Sequence, residues 1–160
     1  MSRFTIFFLL LCISISCDIN NSKSDALDQV RSAQKKWNAV NPQDYTYQYQ
    51  SICFCAFTDE VRIVVRADSV IDVQNITTNE TIMVAVAGTD IEAPIHEFYP
   101  SSFFTINQFF DRLEVQIPVA DDSEVSFDRS TGMPIEISFD YIEEAIDDEI
   151  TYLFSNLVIN

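Results

Sequence analysis

The chain has 160 residues, nine basic against 25 acidic, and a formal net charge of −16. A field of that sign repels phosphate backbones, which excludes nucleic-acid binding. Hydrophobic residues make up 48% of the chain and 13 residues are Phe, enough to build a core, while the only two glycines, Gly88 and Gly132, exclude glycine-rich phosphate loops and dinucleotide fingerprints.

Met1-Ser2-Arg3 carries one positive charge and leads into the apolar run FTIFFLLL, Phe4 to Leu11. That run is too short to span a membrane, which needs about 20 residues. It reads instead as the h-region of a signal peptide over residues 1–16. The segment ISISC ends at Cys17 behind the small Ser16 and resembles a bacterial lipobox, in which that cysteine is acylated. Ser14 departs from the pattern, and an ordinary secretory peptide cut nearby is the alternative. Each buried acyl methylene contributes about 0.8 kcal/mol, so two chains anchor stably. The expectation is a lipid-anchored protein of a bacterial cell envelope, in the periplasm or at the cell surface, held to the membrane through Cys17. DINNSKS suits a short polar tether within residues 17–24, and one domain follows over 25–160.

Ser22 and Asp25 have capping-box spacing, and Ala26, Val30, Ala33, Trp37 and Val40 follow at helical intervals. Asn41-Pro42 ends that helix, because the residue before proline avoids the helical region. YTYQYQSICFCAF alternates along its length, putting Tyr45, Tyr47, Tyr49, Ser51, Cys53, Cys55 and Phe57 on one face of a strand. VRIVVR and VIDVQNI return as second and third strands after turns at Asp59-Glu60 and Asp68-Ser69. TIMVAVA, Thr81 to Ala87, predicts a fourth strand of an antiparallel meander, apolar on both faces and covered.

GTDIEAPIHEFYPSSFF has no period and reads as a long connection. Thr105 with Gln108 then forms a capping box, and Ile106, Phe109, Phe110 and Leu113 make one apolar stripe destined for the core. SEVSFD and PIEISFDY are strands joined by RSTGMP, in which Gly132 supplies a positive φ. Ile135, Ile137, Phe139 and Tyr141 share one face of the second; Ile150, Tyr152 and Phe154 share a face of the closing strand. The fold class expected is α+β, a mainly antiparallel sheet with two helices packed on one face in a single domain.

Trp37, YTYQY, CFC, TINQFFDRL, TGMP before IEISFD, and DDEITYLFSNL together resemble an uncharacterised family of bacterial exported proteins, many with lipoprotein signals, known as domain of unknown function family 6174. The likeness runs from about Trp37 to Leu157, and Met133 departs where the family carries an aromatic residue. It implies export and this fold, and brings no activity and no catalytic residues.

With Cys17 lipidated and Cys12 lost with the leader, Cys53 and Cys55 have only each other as intrachain partners. Residues two apart in a regular strand are about 6.6 Å apart, whereas a disulfide wants its Cβ atoms about 3.5–4.5 Å apart. A bridge therefore requires a bulge or turn at Phe54. So small a ring contributes only about 1.6 kcal/mol of loop entropy, which makes such a bond a poor staple and a reducible switch. Three readings stay open: a disulfide, two quiet thiols, or a redox or metal site. His96, the sole histidine, makes zinc weak.

YIEEAIDDE, with Asp140 before it, gathers Asp140, Glu143, Glu144, Asp147, Asp148 and Glu149, oxygen ligands of the kind calcium takes. It lacks the alternating spacing of known calcium loops, and a solvated acidic turn is the plainer reading. Asp121, Asp122 and Glu124 form a similar, weaker group. No G-x-S-x-G elbow occurs, and His96 sits in an irregular segment as a surface or structural residue. The sequence therefore points to a non-enzymatic binding domain with no cofactor, offering its sheet or acidic surface to a protein partner or ligand. Exposed tyrosines at residues 45–49 would mark that surface. The alternatives are a thiol-redox or metal-responsive protein using Cys53 and Cys55, and calcium binding at 140–149.

Overall fold

The computed structural model describes residues 18–55, 57–142, 145 and 147–160. Helix α1 (Asp18–Val40) opens the fold. Its Ala26, Val30, Ala33 and Trp37 are buried, whereas Val40, expected on the same stripe, is 39% exposed. The helix ends at Asn41, whose φ of 45° is left-handed and whose N–H donates to the Trp37 carbonyl at 2.9 Å. Pro42 then blocks continuation.

The stretch read as a tether is helical from Asp18, and Ser22 lies inside the helix rather than at its cap. DINNSKS contains no Gly or Pro, and a helix nucleated by the buried stripe extends at little cost.

Strands β1 (Asp44–Cys53), β2 (Val61–Arg66), β3 (Ser69–Asn75), β6 (Asp122–Phe127), β7 (Pro134–Asp140) and β8 (Ile150–Ile159) form one sheet in the order β3-β2-β1-β8-β7-β6. All neighbours are antiparallel. Helix α3 (Ile106–Gln116) packs beside α1 on one face, completing the α+β architecture. The core lies between: Trp37 meets Tyr45 edge-on at 5.2 Å, and Phe109 meets Phe154 at 4.7 Å. The Thr105–Gln108 capping box is formed, and Ile106, Phe109, Phe110 and Leu113 are buried. Among the described residues no helix is long and apolar enough to cross a membrane.

The meander stops at three strands. The Asn75 carboxamide accepts from the Thr77 and Thr78 N–H groups at 2.8 and 3.1 Å, an Asx turn that reverses the chain. Beyond the turn a single bridge, Gln74–Thr81, and the Ile82 N–H donating to the Val73 carbonyl at 2.8 Å continue beside β3 among the described residues. The expected fourth strand shrinks to β4 (Met83–Ala85), which pairs with β5 (Glu92–Pro94) in a separate two-stranded sheet. Met83 is 44% exposed, so this segment is not the covered strand its apolar composition predicts. The supposed irregular connection thus contains β5 and the short helix α2 (Ile95–Phe98).

Ile135 is also exposed, against the expected alternation. The register between β6 and β7 shifts as Ser126 faces Glu136 and Phe127 faces Pro134, so Ile135 is the extra residue of a bulge. A bulge reverses the facing of everything beyond it.

Candidate functional site

Alternation fixes two unlike faces on the sheet. Tyr45, Tyr47 and Tyr49 point into the core under the helices and are buried, so they do not form the exposed surface looked for among them. Burial raises the pKa of each phenol, and for Tyr45 hydrogen bonding to the Ile106 N–H works against that rise. The intervening Thr46, Gln48 and Gln50 face the other way and are half-buried. VRIVVR does the same, burying Val61, Ile63 and Val65 and turning Arg62 and Arg66 outward.

On that uncovered face a shallow groove of about 830 Å³ runs over β2, β1 and β8. Thr46, Gln48, Arg62, Arg66, Gln74 and Asn156 line it together with Asp44, which is directly opposite Arg66 in the β1–β2 ladder. A register shift between β1 and β8 sets its shape, with Asn156 at φ 52°. The Gln48 side-chain oxygen accepts from Asn156 Nδ2 and from Ser155 Oγ, the latter at 3.3 Å. Arg62 donates to Asn79 Oδ1. Among the described residues neither Arg62 nor Arg66 lies in an ion pair; those found join Arg31 to Asp28 and Glu114. Sequence reading passed over both arginines, although their place opposite Val61, Ile63 and Val65 in VRIVVR was the available signal.

The other half of the same face is acidic. Asp122 is directly opposite Asp140 in the β6–β7 ladder. They line a pocket of about 150 Å³ with Glu124, Ser138, Glu149 and Thr151. Two of the sequence candidates, Asp140 and Glu149, are therefore brought together, along with the weaker Asp122 and Glu124. Asp147 is exposed, and both carboxylate oxygens of Asp148 are buried without a hydrogen-bond partner among the described residues. Glu143 and Glu144 lie outside the described residues, as does Cys17. Among the described residues no group of three or more His, Cys, Asp or Glu side chains is arranged to hold a metal ion. His96 lies in α2, half-buried, with its Nδ1 lacking a hydrogen-bond partner among the described residues.

The cysteines sit at the edge of this fold. Strand β1 ends at Cys53, which pairs with Ile150, and the chain bends at Phe54 rather than running on to Phe57 as the alternation suggests. The bend brings the Cys53 and Cys55 Cα atoms to 5.2 Å, and the two sulfurs form a disulfide. Phe54 between them is 88% exposed. The buried Ser51 hydroxyl donates to the Phe57 carbonyl at 3.0 Å and stands 4.0 Å from Cys55 Sγ.

Residues 29–159 match the sequence model of a family of unknown function, DUF6174. The chain belongs to that family. The match takes in all eight strands, α2, α3 and about half of α1, so the two-faced sheet and the CFC bend both fall within the DUF6174 domain. No curated protein and no solved structure matches the chain.

Proposed function

We propose that this DUF6174 domain is a lipid-anchored protein of a bacterial cell envelope, tethered through Cys17, that binds a carboxylate-bearing ligand non-enzymatically on the uncovered face of its sheet. The observation that carries the reading is the pair Arg62 and Arg66, in no ion pair among the described residues and facing an amide-rich groove. In a chain of charge −16, carboxylates are abundant, and Asp44 lies directly opposite Arg66 in the ladder, yet neither guanidinium is in an ion pair among the described residues. A guanidinium fork matches a carboxylate with two parallel hydrogen bonds. Gln48, Gln74 and Asn156 add paired donors and acceptors for neighbouring polar groups. The acidic field around them disfavours polyanions and selects a ligand with few charges.

The anchor is supported by the apolar leader and the ISISC segment. Between Asp18 and the buried Ala26 the helix rises about 12 Å, which would hold the sheet clear of lipid headgroups.

Two measurements test the two halves separately. Radiolabelled fatty acid incorporated by the native chain and lost in Cys17→Ser supports the anchor; equal labelling removes it. For the groove, amide chemical shifts are followed during titration with a uronic acid, a dicarboxylic acid and an acidic dipeptide. Shifts confined to β1, β2 and β8 that vanish in the Arg62→Ala, Arg66→Ala double variant support the site. No saturable shift with any of the three removes it.

A further inference from the structure

The disulfide between Cys53 and Cys55 has the features of a bond made to exchange. It closes the smallest ring compatible with one intervening residue, so its removal releases little chain entropy and costs little stability. It joins nothing distant: β1 is already held on both sides by β2 and β8. The two sulfurs also differ. Cys53 is half-buried at the end of the β1–β8 ladder, whereas Cys55 lies beyond it and is exposed. The buried Ser51 hydroxyl lies 4.0 Å from Cys55 Sγ, and the Phe57 carbonyl lies 3.6 Å from the same sulfur. Phe54, 88% exposed at the tip, and Ile52, 53% exposed beside it, offer an apolar contact next to the bond.

We propose that Cys53–Cys55 is a thiol–disulfide exchange site for a dithiol partner, with Cys55 as the exchanging sulfur, Cys53 as the resolving one and Ser51 as a positioning residue. A partner thiolate attacks Cys55 Sγ; the S–S bond breaks and Cys53 leaves as a thiolate that takes a proton from water. The partner's second thiolate then attacks its own sulfur in the mixed disulfide, and Cys55 departs. The partner dithiol is oxidised to a disulfide, and the Cys53–Cys55 bond is reduced to two thiols by the same two electrons. As Cys55 departs, the Ser51 hydroxyl turns from the Phe57 carbonyl to the sulfur and donates to the thiolate. In the reverse direction the same contact favours the attacking form of Cys55. This proposal stands apart from ligand binding in the groove, which uses neither cysteine.

The test equilibrates the full chain across a series of reduced-to-oxidised glutathione ratios, followed by acid quench, alkylation and mass spectrometry. The disulfide and dithiol forms are expected to interconvert within the series, because only well-protected structural disulfides resist the glutathione pool. In Cys53→Ser, Cys55 is expected to form the mixed disulfide with oxidised glutathione severalfold faster than Cys53 does in Cys55→Ser. Ser51→Ala in the Cys53→Ser background should move the thiolate absorbance titration of Cys55 to higher pH. A native chain that stays oxidised at every ratio overturns the proposal, with no variant needed. Equal exchange rates at the two cysteines, or a Cys55 titration unmoved by Ser51→Ala, overturns the assigned roles.

Discussion

A Cβ added at Gly132 would stand 2.1 Å from the Ala33 carbonyl oxygen, with the α1 backbone on the far side of the contact. The β6–β7 loop thus lies directly against α1, and Lys36 Nζ donates to the Arg129 carbonyl at 3.3 Å beside it. Gly132 also holds φ at 79°, a region side chains avoid. Gly132→Ala is expected to destabilise the fold by about 2–4 kcal/mol, combining left-handed strain with backbone overlap. Gly88 has nearly the same φ, 80°, but nothing within 4 Å of the added carbon. Gly88→Ala should therefore cost only about 1–2 kcal/mol. Denaturant midpoints of the two variants measure the difference; equal losses would mean that the loop does not press on α1.

Tyr45 is a core residue with a polar duty. Its hydroxyl accepts from the Ile106 N–H at 3.0 Å, at the first turn of α3, where no intrahelical partner exists. Tyr45→Phe keeps the ring against Trp37 and strands that N–H in the core. The expected loss is about 1–3 kcal/mol with an unchanged denaturant slope. A midpoint indistinguishable from the native chain would show that the amide finds another acceptor.

Burial raises the pKa of Tyr45, Tyr47 and Tyr49 above the ordinary phenol value, and Tyr141 and Tyr152 are shifted in the same direction by the same cause. The folded chain therefore holds protons that the unfolded chain releases near pH 10. Stability is complete below that pH and falls as pH climbs past it, by about 1.4 kcal/mol per pH unit for each tyrosine still protonated in the fold. Tyrosinate absorbance should appear together with loss of far-ultraviolet circular dichroism. Tyrosines that ionise one by one near pH 10 with the sheet intact would contradict this account.

Like charges directly opposite in a sheet repel, and Asp122 faces Asp140. Asp140→Asn is expected to stabilise by about 0.2–1 kcal/mol. The Asn carbonyl oxygen retains the contact in which Asp140 Oδ1 accepts from the Ile142 N–H at 3.2 Å. The gain should shrink in high salt, which screens exposed charges. At matched ionic strength, sodium and calcium should act alike on the native melting temperature; a rise specific to calcium would instead mark this pocket as a cation site.

The Asp128 carboxylate caps the β6–β7 loop, accepting from the Ser130 hydroxyl at 2.6 Å and from the Thr131 N–H and hydroxyl at 2.7 and 2.8 Å. The Ser130 hydroxyl first, then the Thr131 donors, hold its pKa well below the usual carboxylate range. A depressed folded pKa contributes stability above the unfolded value near pH 4, lost as pH falls through the folded value. In a carbon-detected titration Asp128 should remain ionised below the ordinary carboxylate range.

Local chemistry made most of the large elements legible. The alternation of YTYQYQS and VRIVVR fixed both strands and their facing, because side chains in a strand point alternately to its two sides. Thr105 with Gln108 marked the start of α3, and Gly132 marked the hairpin loop. Each depends on interactions within a few residues, so the sequence alone determined it. TIMVAVA shows the limit. Its composition suits a covered strand, but the Asn75 turn and the competing β5 partner decided its place, and neither is visible in its own residues. The helical start at Asp18, the exposure of Ile135 and the bend at Phe54 likewise followed from extension of a packed helix, a register shift and a ring closure. The candidate sites divide in the same way. CFC and the acidic residues could be named from the sequence, but the opposition of Asp122 to Asp140, the approach of Ser51 to Cys55 and the groove holding Arg62 and Arg66 needed the strand order. Those contacts join residues distant in the chain or turn on how it bends, and only the closed tertiary structure decides which of them meet.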